Sequence, residues 1–229
     1  MSASALIGTL FGALIADAAS AKGIAIASAL GATVAEAVQA IGRRRMEDAR
    51  EILFDELRLG DKTLEDAAQV EEIVACLLRY GRAAQEGSAR LNLRLMATVM
   101  DGLYSKSRLT ANEFLYYADI LSVLRREEIV IIGCMHRHDK AIRLMRENGD
   151  EQVCSAYERA CEELVPKFFS SKDEFNAFCA SASRTGLIAM GVVIDELGLY
   201  KLTPLMNRLV QYVDLEAAQQ RETELEISP

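Results

Sequence analysis

Residues 3–42 read ASALIGTLFGALIADAASAKGIAIASALGATVAEAVQAIG, and the way this stretch folds sets the terms for the rest of the chain. Asp17, Lys22 and Glu36 are its charged residues, and Arg43, Arg44 and Arg45 close it. Small residues recur at every fourth position: Gly8, Gly12, Ala16 and Ser20, then Gly23, Ala27, Gly31 and Ala35. Positions i and i+4 share a helix face. A face without bulk lets another backbone come close, as helices do in lipid and at tight crossings. In one straight helix each four-residue step would carry that face round by roughly 40°, and the two ladders would end on opposite sides. A hairpin of two shorter helices is therefore expected, with its break at Lys22 and Gly23.

Such a hairpin suits three settings. It could enter a membrane, since each apolar run approaches the length of a span. It could join copies of the chain into a homo-oligomer, or pack as an Ala-rich pair inside a helical bundle. Alanine and glycine partition poorly into hydrocarbon, which weighs against the first setting. Arg43, Arg44 and Arg45 suit the cytoplasmic flank of a span and a solvated helix turn equally. The association residues expected here are Gly8, Gly12, Ala16, Gly23, Ala27, Gly31 and Ala35.

Composition bounds the rest. The chain has 229 residues, 51% of them apolar, enough to bury a real core. Proline is nearly absent and the common residues favour helices. A net charge of −8 disfavours binding to nucleic acid, which needs a basic surface. The cysteines are Cys76, Cys134, Cys154, Cys161 and Cys179, an odd number with no C-x-x-C pair. Reduced thiols in the cytoplasm, at or away from the inner face of the membrane, are the expectation. The N-terminus lacks the basic region of a secretory signal.

Past Arg45 the pattern becomes amphipathic. Met46, Ala49, Leu53 and Leu57 form a stripe, flanked by Ile52 and Phe54. Further helices are expected over 64–86, with Val70, Val74, Leu77 and Leu78 inward, and over 88–102, with Leu91, Leu95, Met96 and Val99 inward. TANE at 110–113 is a capping box. It opens a long helix that runs towards Met145 or breaks at Gly133. A helix over 150–165 ends at Pro166, and SKDE at 171–174 caps another to Ser183. Residues 187–194 are apolar and β-branched, 195–198 supply a turn, and 199–202 form a second short strand. Thr203 and Pro204 then start a helix, and residues 216–229 read as a frayed polar tail.

The expected fold is mainly α: a helical bundle with an Ala/Gly-rich N-terminal hairpin over 1–42, a helical body over 43–170, a β-hairpin unit over 171–215 and a tail over 216–229.

CMHRHD at 134–139 concentrates the residues that could carry chemistry, including both histidines. On a helix only Cys134 and His138 share a face. Zinc needs three or four ligands on one centre, so Cys154 or Cys161 would have to complete the set. No metal is expected, and a metal-dependent enzyme at Cys134 and His138 is the more distant alternative. The phosphate-loop, dinucleotide and nucleophile-elbow motifs do not occur, so no cofactor is expected and the chain is read as non-catalytic. Neighbouring acids such as Glu162 and Glu163 point apart on a helix and read as solvated.

Residues 184–213 look like the end of a winged-helix unit: helix, GLI into a strand, hairpin, then LTP opening a helix. A DNA-reading winged helix carries a basic recognition helix. KDEFNAFCASAS at 172–183 has one lysine against two acids, which favours a protein partner for this unit. A soluble winged-helix regulator or adaptor is the nearer alternative. NLRLMATVMD at 92–101, LTANEF at 109–114, ILSVL at 120–124, GLI at 186–188 and YKLT at 200–203 together resemble the abortive-infection alpha type of bacterial proteins. That resemblance implies a helical, non-enzymatic protein of phage defence or of a mobile element, and it carries over no functional residue. The favoured function is a non-catalytic association protein, membrane-associated or self-assembling through residues 3–42.

Overall fold

A computed structural model of the chain describes residues 5–14, 16, 32–57, 67–106, 109–148, 154–191 and 200–227. They form a mainly helical protein with a small two-stranded antiparallel hairpin near the C-terminus. The chain divides into two units, Met1–Val123 and Leu124–Pro229.

The first unit holds α1 (residues 5–14), α2 (Ala32–Glu56), α3 (Ala67–Glu86), α4 (Arg90–Ser105) and α5 (Ala111–Leu121). Helix α4 is its core. Leu91, Leu95, Met96 and Val99 are buried as their spacing predicts, and the helix runs through Gly102 to Ser105 instead of ending at Asp101. Helix α2 buries the expected stripe of Met46, Ala49 and Leu53, continued by Leu57 just past its end; of the two expected flanking residues Ile52 is buried and Phe54 is exposed. Helix α3 is rotated from its expected setting: Ile73, Cys76, Leu77, Tyr80 and Ala84 are buried, while Leu78 is exposed. The set 73, 76, 77, 80, 84 keeps helical spacing and takes the large Tyr80 ring inward, where its hydroxyl donates to the Ala49 carbonyl at 2.9 Å.

Buried polar side chains of this unit find partners across its helices, which offsets the cost of desolvation. Arg94 and Glu56 form a buried ion pair, and Thr98 Oγ1 donates to the same carboxylate at 3.2 Å. Asn92 Nδ2 donates to the Leu121 carbonyl at the end of α5 at 2.6 Å. Thr110 caps α5, its hydroxyl accepting from Glu113 N at 3.3 Å.

The expected boundary at 42/43 falls inside α2, which continues unbroken from Ala32 to Glu56. Gly42 alone does not stop a helix whose neighbours on both sides favour it. The expected break at Lys22 and Gly23 lies outside the described residues.

The second unit holds α6 (Arg126–Glu147), α7 (Ala156–Leu164), α8 (Lys172–Ser183), β1 (Ile188–Met190), β2 (Tyr200–Leu202), α9 (Pro204–Leu209) and α10 (Leu215–Ile227). The single long helix expected after Thr110 is two, because the chain turns at Ser122 and Val123 and starts α6 afresh. Glu128 defines that start by accepting from Arg125 N at 2.8 Å. Gly133 is no break. It lies buried within α6, where an added Cβ would stand 3.3 Å from Glu216 Cγ and 3.5 Å from Leu215 Cβ. Its missing side chain lets α10 sit close against α6.

Helices α7, α8 and α10 pack on α6. Ser155 and Glu158 form a reciprocal cap at α7, with bonds of 3.1 Å and 2.8 Å. Ser171 caps α8 by accepting from Glu174 N at 3.2 Å. In the hairpin Ile188 pairs with Leu202 and Met190 with Tyr200, so β1 is shorter than the expected 187–194. The expected turn at 195–198 lies outside the described residues. Tyr157, Phe169, Phe175 and Tyr200 form an aromatic cluster beneath the hairpin. The expected frayed tail over 216–229 is helix α10 as far as Ile227, beginning at Leu215. Asp214 starts it by accepting from Ala217 N at 3.0 Å, and Leu215, Ala218 and Glu222 are buried on one face.

Candidate functional site

Two places in the chain bear on function, one in each unit. The first is α1 with the opening half of α2. Leu6, Ile7 and Phe11 are buried, because i and i+4 put Ile7 and Phe11 on one face. The Phe11 ring meets Tyr80 at 6.1 Å between centroids. Leu14 Cδ1 lies 3.0 Å from where a Cβ on Gly81 would stand, so the glycine of α3 is what admits α1. The apolar stripe thus faces the core, and the small-residue face is turned elsewhere. Gly12 and Ala16 are exposed and Gly8 half-buried. A Cβ added to Gly8 or Gly12 would meet no atom of the described residues within 4 Å. Gly23, Ala27 and Gly31 lie outside the described residues, as does the side chain of Ala35.

Helix α2 shows the same division along its length. From Met46 onward it is half core. From Glu36 to Arg45 it is largely open, with Val38 37% and Ile41 51% exposed. Arg43, Arg44 and Arg45 are exposed beside them. Among the described residues no helix is long and apolar enough to cross a membrane.

The second place is a cleft of about 600 Å³ where α6, α7 and α10 meet, lined in part by Cys134, Arg137, Glu163 and Glu216. Arg137 is its centre. Its Nη2 donates to Glu163 Oε1 at 2.6 Å and lies 3.6 Å from Cys134 Sγ. Its Nε donates to Glu216 Oε1 at 2.8 Å. The second oxygen of Glu163 is 2.9 Å from His138 Nε2. One carboxylate therefore joins a guanidinium and an imidazole, both carried by α6.

The electrostatics follow from these contacts. The hydrogen bond from Arg137 holds the Glu163 carboxyl below its ordinary range, against the opposing effect of burial and with help from His138. Burial pushes the Cys134 thiol up to about 12, and the Glu163 charge adds to the shift. His138 Nε2 meets the Glu163 carboxylate, and the thiol faces Arg137, so the arrangement differs from a Cys–His pair. His136 does not join the cluster. It lines a neighbouring cavity beside Asp214, and burial holds its imidazole below the ordinary range.

Cys134 and His138 thus come together as their spacing predicts, but the third residue is neither Cys154 nor Cys161. Cys154 is exposed, and Cys161 lies half-buried on α7 away from the group. Glu163 takes that place, and Cys134, His138 and Glu163 bring one ligand atom each within 4.8 Å of one another. A signal for Glu163 exists in the sequence. It follows Ala160 by three positions and precedes Leu164, both buried, so it flanks the inner face of α7 while Glu162 points out. All five cysteines are free thiols.

Compared with protein-family models, with curated proteins and with solved structures, the chain matches none.

Proposed function

We propose that this is a non-catalytic association protein that assembles with further copies of itself through α1 and the open half of α2. One observation carries the reading: α1 turns its bulky residues to the core and leaves Gly8, Gly12 and Ala16 on a face that, among the described residues, no atom fills at the two glycines. A second helix can come within backbone distance of such a face without displacing anything. Val38 and Ile41 on α2 supply exposed apolar surface to go with it. The resemblance to abortive-infection alpha-type proteins suits this reading, with bacterial phage defence in the cytoplasm as the setting. The hairpin unit, with its acidic α8, would then take a protein partner.

A second reading has its own support. Val38 and Ile41 stand next to exposed Arg43, Arg44 and Arg45, the combination that seats a helix on an anionic membrane surface.

Light scattering on the eluting full-length protein distinguishes the outcomes. Self-association gives a multiple of the 25.2 kDa chain mass, reduced by Gly8→Leu and Gly12→Leu with helicity unchanged. A wild-type protein of single-chain mass that also fails to float with anionic vesicles would remove both readings.

A further inference from the structure

We propose that Cys134, His138 and Glu163 bind a divalent transition-metal ion of the zinc class, and that Arg137 competes with the metal for Glu163. The site is independent of the association surface. Two of its ligands sit one turn apart on α6, and α7 supplies the third. Their ligand atoms lie within 4.8 Å of one another. Ligand atoms on a shared zinc stand about 3.5 Å apart, given bond lengths near 2.0–2.3 Å and tetrahedral angles. No separation therefore has to close by more than about 1.3 Å, within the reach of side-chain rotation. Sulfur with imidazole selects zinc, cobalt and their neighbours over magnesium or calcium, which want oxygen. A further position opens to the cleft, where a water can coordinate.

Arg137 shows that the geometry already draws a cation to this point. Its Nη2 sits between Glu163 Oε1, at 2.6 Å, and Cys134 Sγ, at 3.6 Å. A metal entering here must displace that nitrogen. The move does not require unpacking, because the Arg137 side chain is 44% exposed and its Nε stays tied to Glu216 at 2.8 Å. On binding, the metal–sulfur bond forms as the Cys134 thiol proton leaves to solvent. His138 Nε2 exchanges its bond to Glu163 for the metal and coordinates as the neutral imidazole.

The competition gives the site a signature that chance binding lacks. Cobalt(II) is titrated into the full chain carrying Cys154→Ser, which removes the exposed thiol. One equivalent should produce a sulfur-to-cobalt charge-transfer band and tetrahedral visible bands, both erased by zinc. Cys134→Ser should abolish the charge-transfer band. His138→Gln should weaken binding by more than the roughly 10- to 100-fold that loss of an outer partner costs. Arg137→Met, which keeps the stem and removes the charge, should tighten it by about ten-fold. Circular dichroism of each variant establishes that it is folded. No charge-transfer band in either the Cys154→Ser protein or its Arg137→Met derivative overturns the proposal. So does an affinity indifferent to Cys134, His138 and Arg137, which would mean an adventitious ion only.

Discussion

Arg184, the residue that ends α8, grips the carboxylate of Glu128 in the first turn of α6 with both terminal nitrogens, Nη2 donating to Oε2 at 3.0 Å. Glu128 is fully buried and also accepts from Arg125 N, so one carboxylate starts α6 and anchors α8. Burial alone would push this carboxyl up, but the hydrogen bonds from Arg184, Ser181 and the Arg125 backbone outweigh it and leave the group below the usual range.

Arg184→Met should therefore destabilise the protein by about 2–3 kcal/mol, towards the lower end for a broken buried pair because the arginine is itself part-exposed. The lowered carboxyl also fixes the sign of the pH dependence. Its contribution is complete above the ordinary glutamate pKa of about 4.3 and is lost as pH falls through the lower folded value. Urea unfolding of wild type, Arg184→Met and Glu128→Gln at pH 7, and of wild type and Glu128→Gln below the ordinary glutamate pKa of about 4.3, tests both points. The difference between the two proteins should shrink in acid.

Gly133 makes a second prediction. Alanine gains about 1 kcal/mol in helix propensity over glycine, while its Cβ meets the movable Glu216 Cγ at 3.3 Å. Gly133→Ala should then be close to neutral. Gly133→Leu has no room and should lift α10 from α6. Amide exchange over residues 215–227 should speed up in Gly133→Leu and stay near wild type in Gly133→Ala.

Thr203 ties the hairpin to α9. Its hydroxyl accepts from Met206 N at 3.4 Å and donates to the Gly186 carbonyl at 2.6 Å. Thr203→Ala should cost on the order of 1–2 kcal/mol, and Thr203→Ser should recover most of it. Gly186 itself sits at φ +74°, so Gly186→Val should cost more than Gly186→Asn. Thermal melts of the four variants measure the order.

The acidic balance of the chain and the single lysine of α8 lead to a prediction about nucleic acid. Fluorescence anisotropy with duplex DNA at about 0.15 M salt should show no binding below micromolar concentrations. Tight binding that weakens steeply with salt would instead support a winged-helix regulator.

What the sequence determined by itself was local. Thr110, Ser171 and Thr203 cap helices because a cap is a bond across three residues, and its partners are visible together in the chain. The stripes of α2 and α4 were legible for a similar reason, since a period of 3.6 is written within two turns. The packing of α10 was not. A polar run with a weak apolar face becomes a helix against α6 because Gly133, some eighty positions earlier in the chain, leaves room for it. The rotation of α3 likewise depended on where a cavity for the Tyr80 ring existed. The cluster at Cys134 divides the same way. Helical spacing alone paired Cys134 with His138, whereas Glu163 and Glu216 reach Arg137 only because α7 and α10 dock on α6. Which faces meet is settled by the fit of whole helices, and that fit is a property of distant residues taken together.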